Sequence, residues 1–246
     1  MENKKTRKLG KTSELLWVMG ITLVALGVSI CQKVNLGVSM IAAPTFVIAE
    51  ALAKVWSGFS VGVIEYLVQG CFLILMCLVI RRFNWRYLLA FGSAVIYGYT
   101  LNLFIFLIRN VEFNTLAVRW IMLIVGDAIT ALGVACFFKT YMPLQVHELF
   151  VSEVTKRFGL KLNKVKWSFD ISLLVLSIVL AIVIFRDIGE FDFSGIMENS
   201  YHNIGPGTLL TTFINMPFIA VFGKLLDLIF DPTPAFPRLK ELIGTK

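Results

Sequence analysis

The chain has 246 residues, of which 57% are hydrophobic and 16% charged, with a formal charge of +7 and a mean hydropathy of +0.80. That balance excludes water as the principal solvent, and with it the soluble domains that the length alone suggests; disordered, collagen-like and disulfide-framework classes are excluded too. Cys31, Cys71, Cys77 and Cys136 lie scattered inside apolar runs without the spacing of a metal or redox site, so they read as free thiols.

Residues 1–12 form a basic tail holding Lys4, Lys5, Arg7, Lys8 and Lys11. Six apolar runs follow, each near the ~20 residues that cross a ~30 Å hydrocarbon layer. They lie at Ser13–Gln32, Phe59–Ile80, Tyr87–Ile108, Val118–Phe138, Trp167–Phe185 and Thr208–Ile229. The expected fold is an all-α polytopic membrane bundle, because the strands of an outer-membrane barrel would alternate over about ten residues instead. No A-x-A site follows the first run, so it is expected to stay as a span rather than be cleaved. Asp127 sits near the centre of the fourth run at a cost of about 2.5 to 3.5 kcal/mol, which roughly ten apolar neighbours offset at about 0.3 to 0.6 kcal/mol each. Its carboxyl is expected to face protein. Residues 231–246, with Pro232, Pro234 and Pro237, end the last helix, since proline lacks an amide hydrogen and clashes with the preceding turn.

Counting Lys and Arg by connection places 18 on the side of both termini and five (Lys33, Lys54, Arg109, Arg119 and Arg186) on the other, which predicts cytoplasmic termini. Lys166 is counted here as a flanking charge of the fourth connection. Asp187, Glu190, Asp192 and Glu198 make the fifth connection acidic. The positive charge is thus a topology signal, and nucleic-acid binding is not expected.

The chain also repeats itself. Ala25 to Lys33 matches Ala131 to Lys139 at five of nine positions at an offset of 106, which also superposes Gly20 on Gly126. After small gaps Glu65 falls on Asp170, and Gly92 and Asn102 fall on Gly205 and Asn215. Pro44 followed by Glu50 likewise parallels Pro143 followed by Glu148. Units 13–115 and 116–230 therefore hold three spans each. Three being odd, the second unit enters the membrane from the opposite side, an arrangement of inverted halves found in secondary transporters. Each half contains a long connection beginning near a proline. Ala42 to Trp56 is apolar but too short to cross, so it reads as re-entrant or interfacial; Val151, Val154 and Phe158 suggest an amphipathic surface helix in the second half. The pair reads as gates or as structural collars.

Met142-Pro143-Leu144-Gln145-Val146-His147-Glu148, Lys164-Val165-Lys166-Trp167-Ser168-Phe169-Asp170 and Gly205-Pro206-Gly207-Thr208-Leu209 before Asn215-Met216-Pro217, with the glycine-rich first spans, resemble the YitT/YczE-like group of integral membrane proteins over roughly Glu14 to Leu228. The resemblance implies a multi-pass protein of the bacterial plasma membrane and carries no activity with it. Met216 stands where that pattern has a small residue.

Several residues admit two readings. Gly20 and Gly27, and Gly126, Thr130 and Gly133, place small side chains on one helical face, for close packing or as a sliding seam. Lys33 and Lys139 end related helices, where a cation suits the helix dipole and can snorkel, or where two ammonium groups bind an anion in turn. Gly205, Gly207 and Thr208 open the sixth span, as a plain start signal or as an anion-binding helix end, with Pro217 supplying a break. Asp127, Glu65 and Asp170 are candidates for a solute or coupling-ion site, and Asn102 and Asn215 for hydrogen bonds between the halves. Pro44, Pro143 and Glu148 are candidate gating positions. His147 is expected to be solvated or interfacial, and Lys224 to pair with Asp227.

Neither H-E-x-x-H, nucleophile elbow nor metal-ligand cluster is present, so no enzyme activity, metal or cofactor is expected; nor is there a G-x-x-x-x-G-K-[ST] loop for an ATP-driven pump. The expectation is a secondary transporter or permease of a small polar, anionic solute working by alternating access, the alternative being a non-transporting accessory or regulatory membrane protein. The expected partners are the lipid bilayer and the solute, with homo-oligomerisation an open alternative.

Overall fold

The computed structural model describes residues 10, 12–56, 58–186, 199–231, 233–238 and 240. The lysines and arginine of the amino-terminal tail, the four acids of the fifth connection, Pro232 and Lys246 lie outside the described residues. Eight helices follow in order: α1 (Ser13–Lys33), α2 (Ala43–Val55), α3 (Val61–Ile80), α4 (Tyr87–Ile108), α5 (Leu116–Lys139), α6 (Val146–Phe158), α7 (Leu162–Phe185) and α8 (Pro206–Ile229). Six of them, all but α2 and α6, are long and apolar enough to cross a membrane. Their outward faces carry continuous apolar stripes, such as Val175, Val179 and Val183 on α7 and Leu209, Phe213, Val221 and Leu228 on α8. Stripes of that length belong against hydrocarbon. The protein is an all-helical, multi-pass membrane bundle.

Helix α7 starts five residues before the expected span, and the cause is Lys166. Its ammonium pairs with Asp170 one turn on, at 2.7 Å, so the charge is tolerated inside a helix instead of ending it. At α8 the helix begins at Pro206, whose missing N–H costs nothing in the first turn, and runs through Pro217 to Ile229 without the expected break.

Helices α1 and α5 are the most enclosed of the six and form the axis of the bundle. They run antiparallel. Gly20 lies against Gly133 and Gly27 against Gly126, so seven residues up one helix accompany seven down the other. A Cβ at Gly27 would strike the Thr130 side chain, the Gly126 carbonyl and the Thr130 amide; one at Gly133 would strike the Val24 side chain, the Gly20 carbonyl and the Val24 amide. Likewise Gly20 faces Phe137 and the Gly133 carbonyl, and Gly126 faces Cys31 and the Gly27 carbonyl. Adding 106 to each α1 position gives its counterpart on α5, so each neighbourhood maps onto the other. The small residues let the two backbones touch, and such contact is what holds helices together in lipid.

The remaining pairings repeat this exchange. Helix α1 packs on α4 as α5 packs on α8, and α2 packs on α7 as α6 packs on α3. Both short helices have a buried first turn, Ala43–Val47 in α2 and Val146–Leu149 in α6, and reach the surface at Val55 and Phe158. The surface-helix expectation for α6 is therefore corrected: its amino-terminal turn enters the bundle, because Val146 to Leu149 meet protein on every side.

The exchange fails where α4 packs on α6 without an equal contact of α8 on α2, and most strongly at α3 and α4. Helices α3 and α4 meet backbone to backbone at Gly62 and Gly98, where Asn102 also accepts from the Gly62 amide at 2.9 Å and donates to Ser60 at 2.8 Å. The corresponding positions in the second half are Trp167 and Thr211. The indole lies tilted against Phe213, ring centroids 5.6 Å apart, and α7 and α8 touch only sparsely.

Both ends of the chain meet at the first turn of α1. Glu14 accepts from the amides of Ala235 and Phe236 and from the Tyr141 hydroxyl; the Ser13 amide bonds the Thr233 carbonyl, and the Thr12 hydroxyl the Asp231 carbonyl.

Candidate functional site

The buried first turns of α2 and α6 bring polar groups to the middle of the bundle. Gln69 of α3 links the two halves: its amide donates to Glu65 at 2.9 Å, and its oxygen accepts the backbone N–H of Val146, which opens α6, at 3.2 Å. Thr45 of α2 faces the same Glu65. Tyr97 of α4 lies within Coulombic reach of Glu65 and Glu148.

Lys166 sits at the centre of this group, 2% exposed, with Asp170 at 3%. Its ammonium has three donors, one of which goes to Asp170. Asp127, His147 and Glu148 all lie within Coulombic reach of it, and Glu148 is within reach of Asp170 and Glu65 as well. Asp127 is fully buried at the middle of α5 and takes a hydrogen bond from Asn215 on α8 at 2.9 Å. One oxygen each of Asp127 and Glu148, the Nε2 of His147 and the Nε2 of Gln145 are buried without a hydrogen-bond partner. Unpartnered buried polar atoms are costly, and a group of them marks a place where something other than the resting protein completes the bonding.

His147 is packed between the rings of Phe72 and Phe169, at centroid distances of 5.1 and 6.1 Å. Burial, with the Lys166 charge as a smaller cause, holds its imidazole neutral by lowering the pKa to about 3. Burial also pushes the Glu148 carboxyl up to about 7, against the pull of Lys166. The expectation that His147 is solvated is corrected, since its ring is enclosed by α3, α6 and α7.

The structure gathers Asp127, Asn215, Glu65, Asp170 and Glu148 in or beside this cluster. The other expected site residues lie elsewhere. Lys139 pairs with Asp227 at 2.7 Å, so Asp227 does not pair with Lys224; Lys33 donates to the Arg109 carbonyl at 2.7 Å. Each lysine thus fastens the end of its own helix to the last helix of its half. Gly205, Gly207 and Thr208 do not present free amides: the Gly207 N–H bonds the Leu36 carbonyl at 2.8 Å, Thr208 N–H the Gly205 carbonyl, and Gly205 N–H the Thr208 hydroxyl. These glycines let α8 close on the Leu36 loop, where a Cβ would strike that carbonyl. Asn102 ties α3 to α4 instead of reaching across the halves. Pro44 opens α2 and Pro143 precedes α6, where its carbonyl accepts from Trp17 and Ser93.

Lys166, Gln69 and Tyr97 are the central groups that the sequence reading left aside. The i, i+4 spacing of Lys166 and Asp170 is the signal that carried Lys166, and counting it as a topology charge hid it. A cleft of about 240 Å³ between α5, α7 and α8 reaches Lys166, lined also by Lys139, Asn163, Met216, Gly223 and Asp227. It lies between α7 and α8, which touch only sparsely. Among the described residues no group of His, Cys, Asp and Glu is arranged to hold a metal ion.

None of the curated proteins and none of the solved structures matches this chain. One family model does, over residues 11–224, from the amino-terminal end of α1 well into α8. The chain belongs to that family, the family of unknown function DUF6198.

Proposed function

We propose that the protein is a secondary transporter or permease of a small polar solute, working by alternating access between two inverted three-span halves. The observation that carries this reading is the exchange of neighbours along the antiparallel α1–α5 seam, combined with the ionisable cluster to which Glu65 and Gln69 join the buried first turns of α2 and α6. A scaffold needs no unpartnered carboxylate oxygens at its centre, whereas a carrier needs polar groups whose bonding is completed by cargo. Lys166 replaces Lys33 and Lys139 as the cation of the candidate site, since it lies within the buried cluster, paired with Asp170, while those two are engaged at helix ends. The likeness to the YitT/YczE-like group supports placement in a bacterial plasma membrane, and the distribution of Lys and Arg supports cytoplasmic termini.

The test is uptake of labelled metabolites into proteoliposomes, selected by thermal-shift screening and measured with and without a proton or sodium gradient. Uptake that Asp127→Asn reduces while insertion and folded yield stay unchanged supports the reading. A second reading, a non-transporting accessory protein, draws on the tight α3–α4 packing at Gly62 and Gly98. It prevails if no metabolite stabilises the protein and no uptake exceeds that of empty vesicles.

A further inference from the structure

Three buried carboxyls lie within reach of one buried ammonium, and a fourth, Glu65, lies within reach of one of the three, Glu148. Glu65, Asp127, Glu148 and Asp170 come from α3, α5, α6 and α7, and Lys166 is the cation that the described structure brings among them. A lysine can balance one carboxylate, and Asp170, at 2.7 Å, is that one. The remaining three cannot all keep a charge in a dry bundle without a counterion, and a carboxyl in that position takes up a proton. His147 does not supply the missing charge, because its ring is held neutral between Phe72 and Phe169. Tyr97 on α4 and the Cys31 thiol on α1, which faces Asp127, add no cation. The charged residues of α2 are engaged elsewhere, Glu50 by His202 and Asn203 and Lys54 over the Phe185 ring at the far end of α7. On α8, Asp227 is paired with Lys139 in the cleft, and Lys224 lines the outer part of that cleft.

We infer that Glu65, Asp127 and Glu148 form a proton-loading site around the Lys166–Asp170 pair, and that protons enter it from the solution through the α5–α7–α8 cleft. Binding is a simple protonation, a carboxylate oxygen taking a proton to become a carboxyl, with the free oxygens of Glu65, Asp127 and Glu148 as the acceptors. The loading site stands on this geometry alone. Its use as the coupling step, with the proton as the driving ion, rests on the transport reading above.

Infrared spectroscopy of the whole protein in nanodiscs reads protonated carboxyls directly through their carbonyl stretch. At pH 7 the wild type is expected to show this band, and Asp127→Asn and Glu148→Gln are each expected to reduce it, since each removes one of the carboxyls that share the load. Lys166→Met should enlarge the band, because Asp170 then loses its counterion. Should that variant fail to fold, the two near-isosteric amides still decide. Gly223→Phe fills the cleft, as a Cβ there meets only Lys139 at 4.0 Å, and should slow deuterium exchange of the band several-fold. No protonated-carboxyl band at pH 7, or a band that neither amide variant changes, overturns the loading site. Exchange at the wild-type rate in Gly223→Phe overturns the entry route. If the proteoliposome assay finds uptake that a pH gradient does not drive, the coupling step is overturned with the loading site intact; if it finds no uptake, the transport reading fails and the infrared band still decides the loading site.

Discussion

Substituting alanine at Gly133 should loosen the bundle by an amount that the seam geometry sets. The added Cβ would lie 2.7 Å from the Val24 Cγ2, 2.8 Å from its amide nitrogen and 2.9 Å from the Gly20 carbonyl. Favourable contact between carbon atoms needs roughly 3.5 to 4.0 Å, so α1 and α5 must separate by about 1 Å, and two of the three obstacles are backbone that cannot rotate away. Overpacking of this size costs about 1 to 3 kcal/mol. Alanine also favours a helix over glycine by up to ~1 kcal/mol, which a control at Gly92 cancels, since nothing lies within 4 Å of a Cβ there. At ~2 to 4 °C per kcal/mol for a chain this long, Gly133→Ala should melt roughly 2 to 12 °C below Gly92→Ala in the same detergent. Gly27→Ala should fall by at least as much, its obstacles being the counterparts Thr130 and Gly126. If Gly133→Ala melts at or above the Gly92 control, or if Gly27→Ala is neutral, the close antiparallel seam is wrong.

Other consequences are equally open to measurement. Lys166→Met should cost about 3 to 5 kcal/mol by stranding Asp170 in the bundle, and Lys166→Met with Asp170→Leu should recover most of it; titration of unfolding in SDS compares the two. Glu148 holds a proton in the native state that the unfolded chain releases, so its contribution to stability falls as pH rises from about 4.5 through about 7. Glu148→Gln should therefore gain on the wild type over that window, by up to ~1.4 kcal/mol per pH unit, and parallel melting curves between pH 4 and 8 would contradict this. His147 acts in the opposite direction, its contribution being lost as pH falls through about 6.5 towards 3, so the wild-type curve is flatter than that of either single variant. Asp127→Asn keeps an oxygen for the Asn215 amide and should leave the melting temperature nearly unchanged while lowering solute uptake, whereas Lys139→Ala should alter stability only by the small worth of a half-exposed pair.

The spans were legible because hydrocarbon demands unbroken apolar length, and the seam because contact between backbones demands glycine at fixed spacing. Gly20, Gly27, Gly126 and Gly133 carry both facts in plain view. The cluster was legible only in part. Asp127, Glu65 and Asp170 stand out as acids in apolar runs, but Lys166 borders a run and looks like an ordinary flanking charge until its pairing with Asp170 is seen. The partners of Lys33 and Lys139 left no trace for a related reason: the Arg109 carbonyl and Asp227 that engage these helix-end cations lie 76 and 88 residues away, a distance that leaves no periodic mark. The burial of His147 depends on α6 turning inward between α3 and α7, and the polar positions after Val151 hid that entry behind an amphipathic pattern.

Because Thr12, Ser13 and Glu14 bond Asp231, Thr233, Ala235 and Phe236, the described chain closes on itself like a ring whose clasp lies at one face of the bundle. A circularly permuted chain, joined across that clasp and opened in the exposed connection between Ile108 and Leu116, would contain the same helices and the same set of contacts with its later half translated first. The order in which the two halves are made is thus separable from the way they fit together.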